Sequence, residues 1–315
     1  MTPAAAASPG LGRRPRERPS DRVFRLALAA LACSVIGLAL VFAWQLGAHS
    51  LPAWRKFGPA FLWTSEWNPV EGSFGALPFI YGTLASSALA LLIALPLGIG
   101  AAVFMAELAP RRLSAVLSFL IELLAAVPSV ILGMMGIFAL VPLVRGAEPW
   151  LERHLGFLPL FRGAPYGVGM LSAGLILSVM ILPYITAITR EVLLAVPRPL
   201  KEAMLALGGT PAETVLKVSL PYARPAVLGA AFLALGRALG ETMAVTMVIG
   251  NTPQISASLF DPAYTMAAVI ANELAEAVED IHLASLIAVG LSLFAITLVV
   301  NAGARLLLHR LEGRP

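Results

Sequence analysis

Six apolar stretches, at about 23–47, 79–106, 113–142, 167–189, 226–249 and 283–304, constrain this chain more than any other feature. A bilayer-spanning helix needs about 20 predominantly apolar residues. Hydrocarbon offers no partner for backbone N–H and C=O groups, so spanning segments are helices or closed barrels, and runs of this length suit only helices. Composition agrees: 58% of residues are hydrophobic and 13% charged, against about 45–50% and 25% in soluble domains. The sequence therefore predicts an all-α integral membrane protein with six transmembrane helices. The first run follows a basic segment, as in a signal peptide, but exceeds the usual apolar core of about 7–15 residues and reads as an uncleaved span. The single cysteine, Cys33, excludes an internal disulfide and argues against a Cys-built metal site.

The basic residues set the orientation. Arg13, Arg14, Arg16, Arg18, Arg22 and Arg25 precede or open the first span, and Arg111 and Arg112 lie between the second and third. Arg190, Arg198, Lys201, Lys217 and Arg224 lie between the fourth and fifth, and Arg305, Arg310 and Arg314 follow the sixth. These sixteen face five on the opposite side, namely Arg55, Lys56, Arg145, Arg153 and Arg162. Such an excess marks the cytoplasmic side and predicts both termini there. The sequence pI of about 9.6 thus reflects topology rather than affinity for nucleic acid. The predicted organisation is a disordered basic cytoplasmic tail at 1–22, a first span at 23–47 and an outer interfacial loop at 48–78. A membrane domain at 79–307 and a cytoplasmic tail at 308–315 follow.

The outer segments differ in chemistry. Residues 48–78 hold Trp54, Phe57, Phe61, Trp63 and Trp67, which suit an element at the membrane interface. The segment 250–282 carries Asp261, Glu273, Glu276, Glu279 and Asp280 with no Lys or Arg. Its stretch from Met266 to Val278 has apolar residues at 266, 269, 270, 274 and 278, the pattern of a short amphipathic helix. A surface of carboxylates repels a free anion, which favours delivery by a docked carrier protein. Pro96, Pro128 and Pro183, with Gly98, Gly100, Gly133 and Gly136, predict kinks within spans.

The one substantial cytoplasmic loop, 190–225, predicts a compact knob. Pro199 starts a short helix that Gly208 and Gly209 stop. Thr210 then serves as N-cap, Pro211 takes the first helical position and Glu213 completes a capping box. This second helix is expected to end near Leu220 and Pro221.

Charge inside a span is the second informative feature. With the fifth helix starting near Ala226, Arg237 lies about 16 Å along it, close to the bilayer midplane. A charge there costs from about 2.5 to more than 10 kcal/mol unless paired or hydrated. Glu241, at i+4, is positioned to pair with it, and Gly236 and Gly240 form a row that lets a helix approach. Two readings follow: an ion pair that locks packing, or an oxyanion site in which the guanidinium binds bidentately while Glu241 keeps affinity low. Glu122 in the third run has similar depth, with pairing to Arg237, pore lining and packing as its possible roles.

Glu202, Ala203, Gly208, Val218, Leu220 and Pro221 reproduce the spacing of the EAA loop of ABC-importer permeases, with Met204 and Val218 as apolar replacements. The string Arg237-Ala-Leu-Gly-Glu-Thr-Met-Ala, its continuation to Asn251 and the later Ala271-Asn-Glu-Leu-Ala-Glu-Ala resemble the phosphate-specific permeases of the PstC type. The resemblance spans about 75–307. It implies a type I ABC-importer (MetI-like) permease fold with the EAA residues as the coupling loop to an ATPase, and Arg237, Glu241 and Glu122 as candidates for the substrate path. It also implies a PstA-like permease as heterodimer partner, two ATPase subunits of the PstB type and an extracytoplasmic phosphate-binding protein of the PstS type. Sister PstA-type permeases, permeases for another oxyanion and ion-coupled secondary transporters are the competing assignments. The chain has no Walker A loop, no His-Glu-x-x-His and no Gly-x-Ser-x-Gly, so an intrinsic ATPase or hydrolase is not expected, nor a cofactor or metal.

Overall fold

The computed structural model describes residues 19–312. The predicted tail through Arg18 and the terminal Arg314 lie outside the described residues. The chain divides into two compact units, at 1–45 and 46–315. Among the described residues, six helices are long and apolar enough to cross a membrane: Arg22–Leu62, Leu77–Leu108, Ser129–Leu155, Met170–Ala195, Pro211–Leu239 and Asp280–Arg310.

Helix α1 (Pro19–Phe57) begins before and ends after the expected first span. It passes through Gly37, Gly47 and Pro52 without stopping and ends before Gly58, whose φ of 61° is the left-handed turn that ends a helix. In the first unit its large apolar side chains, including Val23, Leu26, Leu31, Val35 and Leu38, are exposed, as a lipid-facing helix requires. Within the second unit, much of the 48–78 segment, expected as a loop, has regular structure. The helix is followed by a 3-10 turn at Gly58–Leu62 and a minimal hairpin of β1 (Trp67–Asn68) and β2 (Ser73–Phe74). Phe61 and Phe74 are fully buried and pack edge-on with Trp54, Phe57 and Trp67, whereas Trp63 stays exposed.

Helices α2 (Leu77–Val103) and α6 (Met170–Ala195) form the centre of the second unit. The α2 face is Ala90, Ala94, Gly98 and Ala102, all buried at four-residue spacing. Small residues let backbones approach, and dispersion then holds helices where lipid is as apolar as the protein. A Cβ at Gly98 would stand 2.8 Å from Ile185 Cγ2. Helix α9 (Leu220–Leu239) packs on α6 with a similar face of Ala223, Val227, Ala230, Ala234 and Ala238.

The third run does not form one helix. Helix α3 (Arg111–Ala126) ends where Val127 and Pro128 turn extended, and α4 (Ser129–Met135) continues through a π turn into α5 (Val141–Leu155). Proline lacks a donor and disfavours helical geometry in the residue before it, so Val127 ends α3. Three π turns, Phe104–Leu108, Gly136–Leu140 and Val215–Ser219, each end two residues before a proline: Pro110, Pro142 and Pro221. The wider turn shifts the backbone ladder by one residue and makes room for the ring. Hence the second knob helix, α8 (Pro211–Thr214), does not stop at Leu220 and Pro221 as expected; it runs through its π turn into α9.

The fifth run is also broken. Helix α9 ends at Leu239, and beyond the short α10 (Met243–Thr246) residues 247–265 are irregular, held by a bridge between Gly250 and Ala263. Non-helical backbone at this depth is tolerated where protein buries it, and Ala244, Val245, Val248 and Ile249 are all buried. Helix α4 closes on them: a Cβ at Gly133 would lie 2.5 Å from Met247 Sδ and 3.0 Å from Ala244 Cα. Gly133 therefore serves close approach rather than a kink. Helix α11 (Met266–Glu273) is shorter than the amphipathic pattern to Val278 predicted, and Leu274 and Val278 are exposed. Helix α12 (Asp280–Glu312) exceeds the expected sixth span at both ends.

Candidate functional site

Arg237 occupies the last turn of α9. Its guanidinium carbon lies 4.8 Å from the centre of the Tyr184 ring, a cation–π arrangement. Tyr184 fixes the depth: it sits 14 residues into the 26-residue α6, about 21 Å from one end and about 17 Å from the other at 1.5 Å per residue. The opposite wall belongs to α12, where Gly236 meets Asn301, with its ideal Cβ 3.7 Å from Oδ1. Tyr184, Leu233, Gly236, Arg237, Gly240, Glu241, Thr297 and Asn301 enclose a cleft of about 550 Å³. Arg237 is exposed in the isolated chain and lines this open cleft beside the polar side chains of Tyr184, Glu241, Thr297 and Asn301.

The sequence places Arg237 and Glu241 on one helical face as a pair. Both do line this cleft, but α9 stops at Leu239 and Gly240 takes the chain off the helix. No ion pair joins them among the described residues. The Glu241 carboxylate instead accepts the Ala244 N–H at 3.4 Å, over the start of α10. Glu122 lies exposed on α3, continuing the line of Ser114 and Ser118, outside the cleft and without an ion pair to Arg237.

The EAA-like residues form the knob. Helix α7 (Arg198–Ala206) carries Glu202 and Ala203, with Leu200 and Leu205 exposed. Gly208 adopts φ of 84°, which only glycine takes without strain, and frees the chain to start α8. The capping box is present as read from sequence: Thr210 Oγ1 accepts the Glu213 N–H at 3.2 Å, and the Glu213 carboxylate accepts the Thr210 N–H at 3.0 Å. Leu220 and Pro221 open α9, so the motif ends on the helix that carries Arg237. A contact not anticipated from sequence fixes the knob's other side. Lys201 Nζ donates to Glu107 Oε1 at 2.7 Å and to the Leu193 carbonyl at 3.2 Å, tying α7 to the end of the second span.

Within the segment 250–282, two of the five carboxylates turn inward. Asp261 accepts the Ser256 hydroxyl at 2.5 Å, and Glu273 accepts the Trp67 indole N–H at 2.9 Å with His282 Nε2 at 3.1 Å. Glu276, Glu279 and Asp280 remain exposed. Sequence reasoning passed over Tyr184, Thr297 and Asn301; the polar positions 297, 301 and 305 at four-residue spacing within an apolar run were the readable signal.

Residues 94–313 match the family of the binding-protein-dependent transport system inner membrane component. The chain belongs to that family. It is 47% identical over 300 residues to the phosphate transport system permease protein PstC of Mesorhizobium japonicum, covering 94% of this chain and 92% of that protein. Identity to PstC of Xylella fastidiosa is 45% over 319 residues, covering 100% and 98%. To the probable PstC of Methanocaldococcus jannaschii it is 40% over 260 residues, covering 80% and 82%. Among solved structures, an inward-facing MetNI methionine ABC transporter chain matches with a TM-score of 0.54 at 18% identity, over 78% of this chain and 99% of that one. A chain of a bacterial alginate ABC transporter, in complex with alginate pentasaccharide-bound periplasmic protein, matches at 0.59 and 16%, over 91% and 96%. These likenesses establish the MetI-like permease fold. An inner membrane component with six apolar helices is a multi-pass transport subunit of the inner membrane that works with a separate binding protein.

Proposed function

We propose that this chain is one of two permease halves through which a binding-protein-dependent ABC system imports inorganic phosphate. The observation that carries the reading is the Arg237 guanidinium, stacked on Tyr184 at mid-helix depth and facing an open polar cleft. The PstC relatives supply the substrate class. The partners are a PstA-like permease, which closes the open side of the cleft, two PstB-type ATPases that grip α7, and a PstS-type carrier. Both termini face the cytoplasm, as the distribution of Lys and Arg requires. Motion of the knob reaches the cleft through the continuous helix from Pro211 to Arg237, and Lys201 with Glu107 ties the same knob to the second span.

The test is uptake of radiolabelled phosphate into liposomes holding the four-component assembly, with carrier outside and ATP within. Uptake should require ATP and should fall in Arg237→Ala and Glu241→Gln. ATP-independent uptake by the native assembly, or native rates in both variants, would overturn the proposal.

A further inference from the structure

The cleft at Arg237 does not end there. Thr297 and Asn301 also line a neighbouring space of about 600 Å³, bounded by Phe294, Leu298, Ala302 and Arg305. Helices α9 and α12 run antiparallel: Gly229 faces Leu308 and Gly236 faces Asn301. Arg305 therefore stands one turn, about 6 Å, from Asn301 toward the knob. Its side chain is exposed and makes no ion pair among the described residues. The Asn301 amide donates to the Thr297 carbonyl at 2.9 Å, and its Oδ1 and Nδ2 lie 3.7 and 3.9 Å from where a Cβ on Gly236 would stand, with Oδ1 accepting no hydrogen bond among the described residues.

We infer that Arg305 and Asn301 form a second oxyanion site, which receives phosphate from Arg237 and passes it toward the knob side of the membrane. The inference rests on the proposed function and deepens it. Guanidinium supplies paired donors for phosphate oxygens, and the Asn301 carbonyl accepts the hydroxyl that a monohydrogen or dihydrogen phosphate still carries. Asn301 lines both spaces, so an ion leaving Arg237 keeps a partner until Arg305 takes it. Two sites of moderate strength release an ion more readily than one strong site, which is what conduction needs. A phospholipid headgroup presents the same phosphate chemistry to an arginine near a helix end, so the experiment separates the two.

The intact assembly, with Arg305→Gln, Arg305→Lys, Asn301→Ala or Arg237→Ala, is reconstituted in liposomes of phosphatidylcholine alone or with phosphatidylglycerol. Phosphate transported per ATP hydrolysed is the readout. Arg305→Gln should lower it about tenfold, the scale of one lost charge-assisted hydrogen bond, equally in both lipids. Asn301→Ala should lower it less, and Arg305→Lys should restore much of the loss by keeping the charge. Native coupling in Arg305→Gln alongside a failed Arg237→Ala would overturn this second site and leave the proposed function standing. A defect confined to vesicles with phosphatidylglycerol would also overturn it, by assigning Arg305 to lipid. Native behaviour of every variant would overturn both.

Discussion

Replacing Lys201 by Met tests whether the knob drives the second span through one ion pair. The Lys201–Glu107 pair is 2.7 Å long, with side chains only 20% and 14% exposed, and the same ammonium holds the Leu193 carbonyl. Methionine keeps the aliphatic stem, so the loss isolates the charge. The substitution removes a charge-assisted hydrogen bond and leaves Glu107 short of a partner in a half-buried site, a cost of about 1.5–3 kcal/mol. At about 1.4 kcal/mol per decade, α7 should detach about 10–150-fold more often. Hydrogen exchange over 198–206 in the purified assembly should accelerate by that factor, and phosphate transported per ATP should fall. The double exchange Lys201→Glu with Glu107→Lys should recover part of both. Unchanged exchange and native coupling in Lys201→Met would refute transmission through this pair, since a solvent-screened surface pair would behave in that way.

Glu273→Ala should loosen the 67–74 hairpin by about 1–3 kcal/mol by stranding the Trp67 indole N–H, seen as faster exchange there, whereas Glu273→Gln should recover much of it. Gly133→Val should lower the detergent-state melting temperature by overpacking, at about 1–3 kcal/mol; Met247→Ala should rescue it only partly, because the second clash is with the Ala244 backbone. Thr210→Ala should cost the knob about 1 kcal/mol through the lost cap, read as faster exchange at 211–214. Glu276→Gln with Glu279→Gln and Asp280→Asn should weaken carrier association and its salt dependence in a binding assay. Glu273 is left out of that set because its carboxylate holds the hairpin.

The features legible in sequence were those set within a few residues. The capping box at Thr210 and Glu213, and the left-handed Gly208, follow from local chemistry and stand where spacing put them. Span number was legible because apolar length alone decides it. The breaks were legible only in part: Pro128 marks the end of α3, but apolar residues continue past Leu239, where the chain leaves the helix at Gly240 and α4 packs against 244–248 from more than a hundred residues away. The Lys201–Glu107 contact joins residues 94 apart, and Tyr184 meets Arg237 only through the α6–α9 packing. Glu241 shows the same limit. An i+4 rule holds on a continuous helix, and Gly240 ends the helix between the two residues.

That break has an electrostatic consequence for the site. The last carbonyls of a helix lack intrahelical donors and carry the negative end of its dipole, worth about half an elementary charge. Arg237 in the final turn of α9 offsets that end, and the Glu241 carboxylate lines the same cleft. The local charge is thus near balance rather than strongly positive, although the only cation lining the cleft is an arginine. An anion entering meets directional donors without a deep electrostatic trap, which suits passage better than storage. Extending α9 by Gly240→Ala moves the carbonyl ends away from the guanidinium and brings Glu241 onto the Arg237 face at i+4. The outcome expected is an intrahelical pair that occupies the guanidinium, with phosphate uptake falling while the assembly stays intact on size exclusion. Unchanged uptake with a demonstrably lengthened helix would show that the balance of charge at this helix end is incidental to transport.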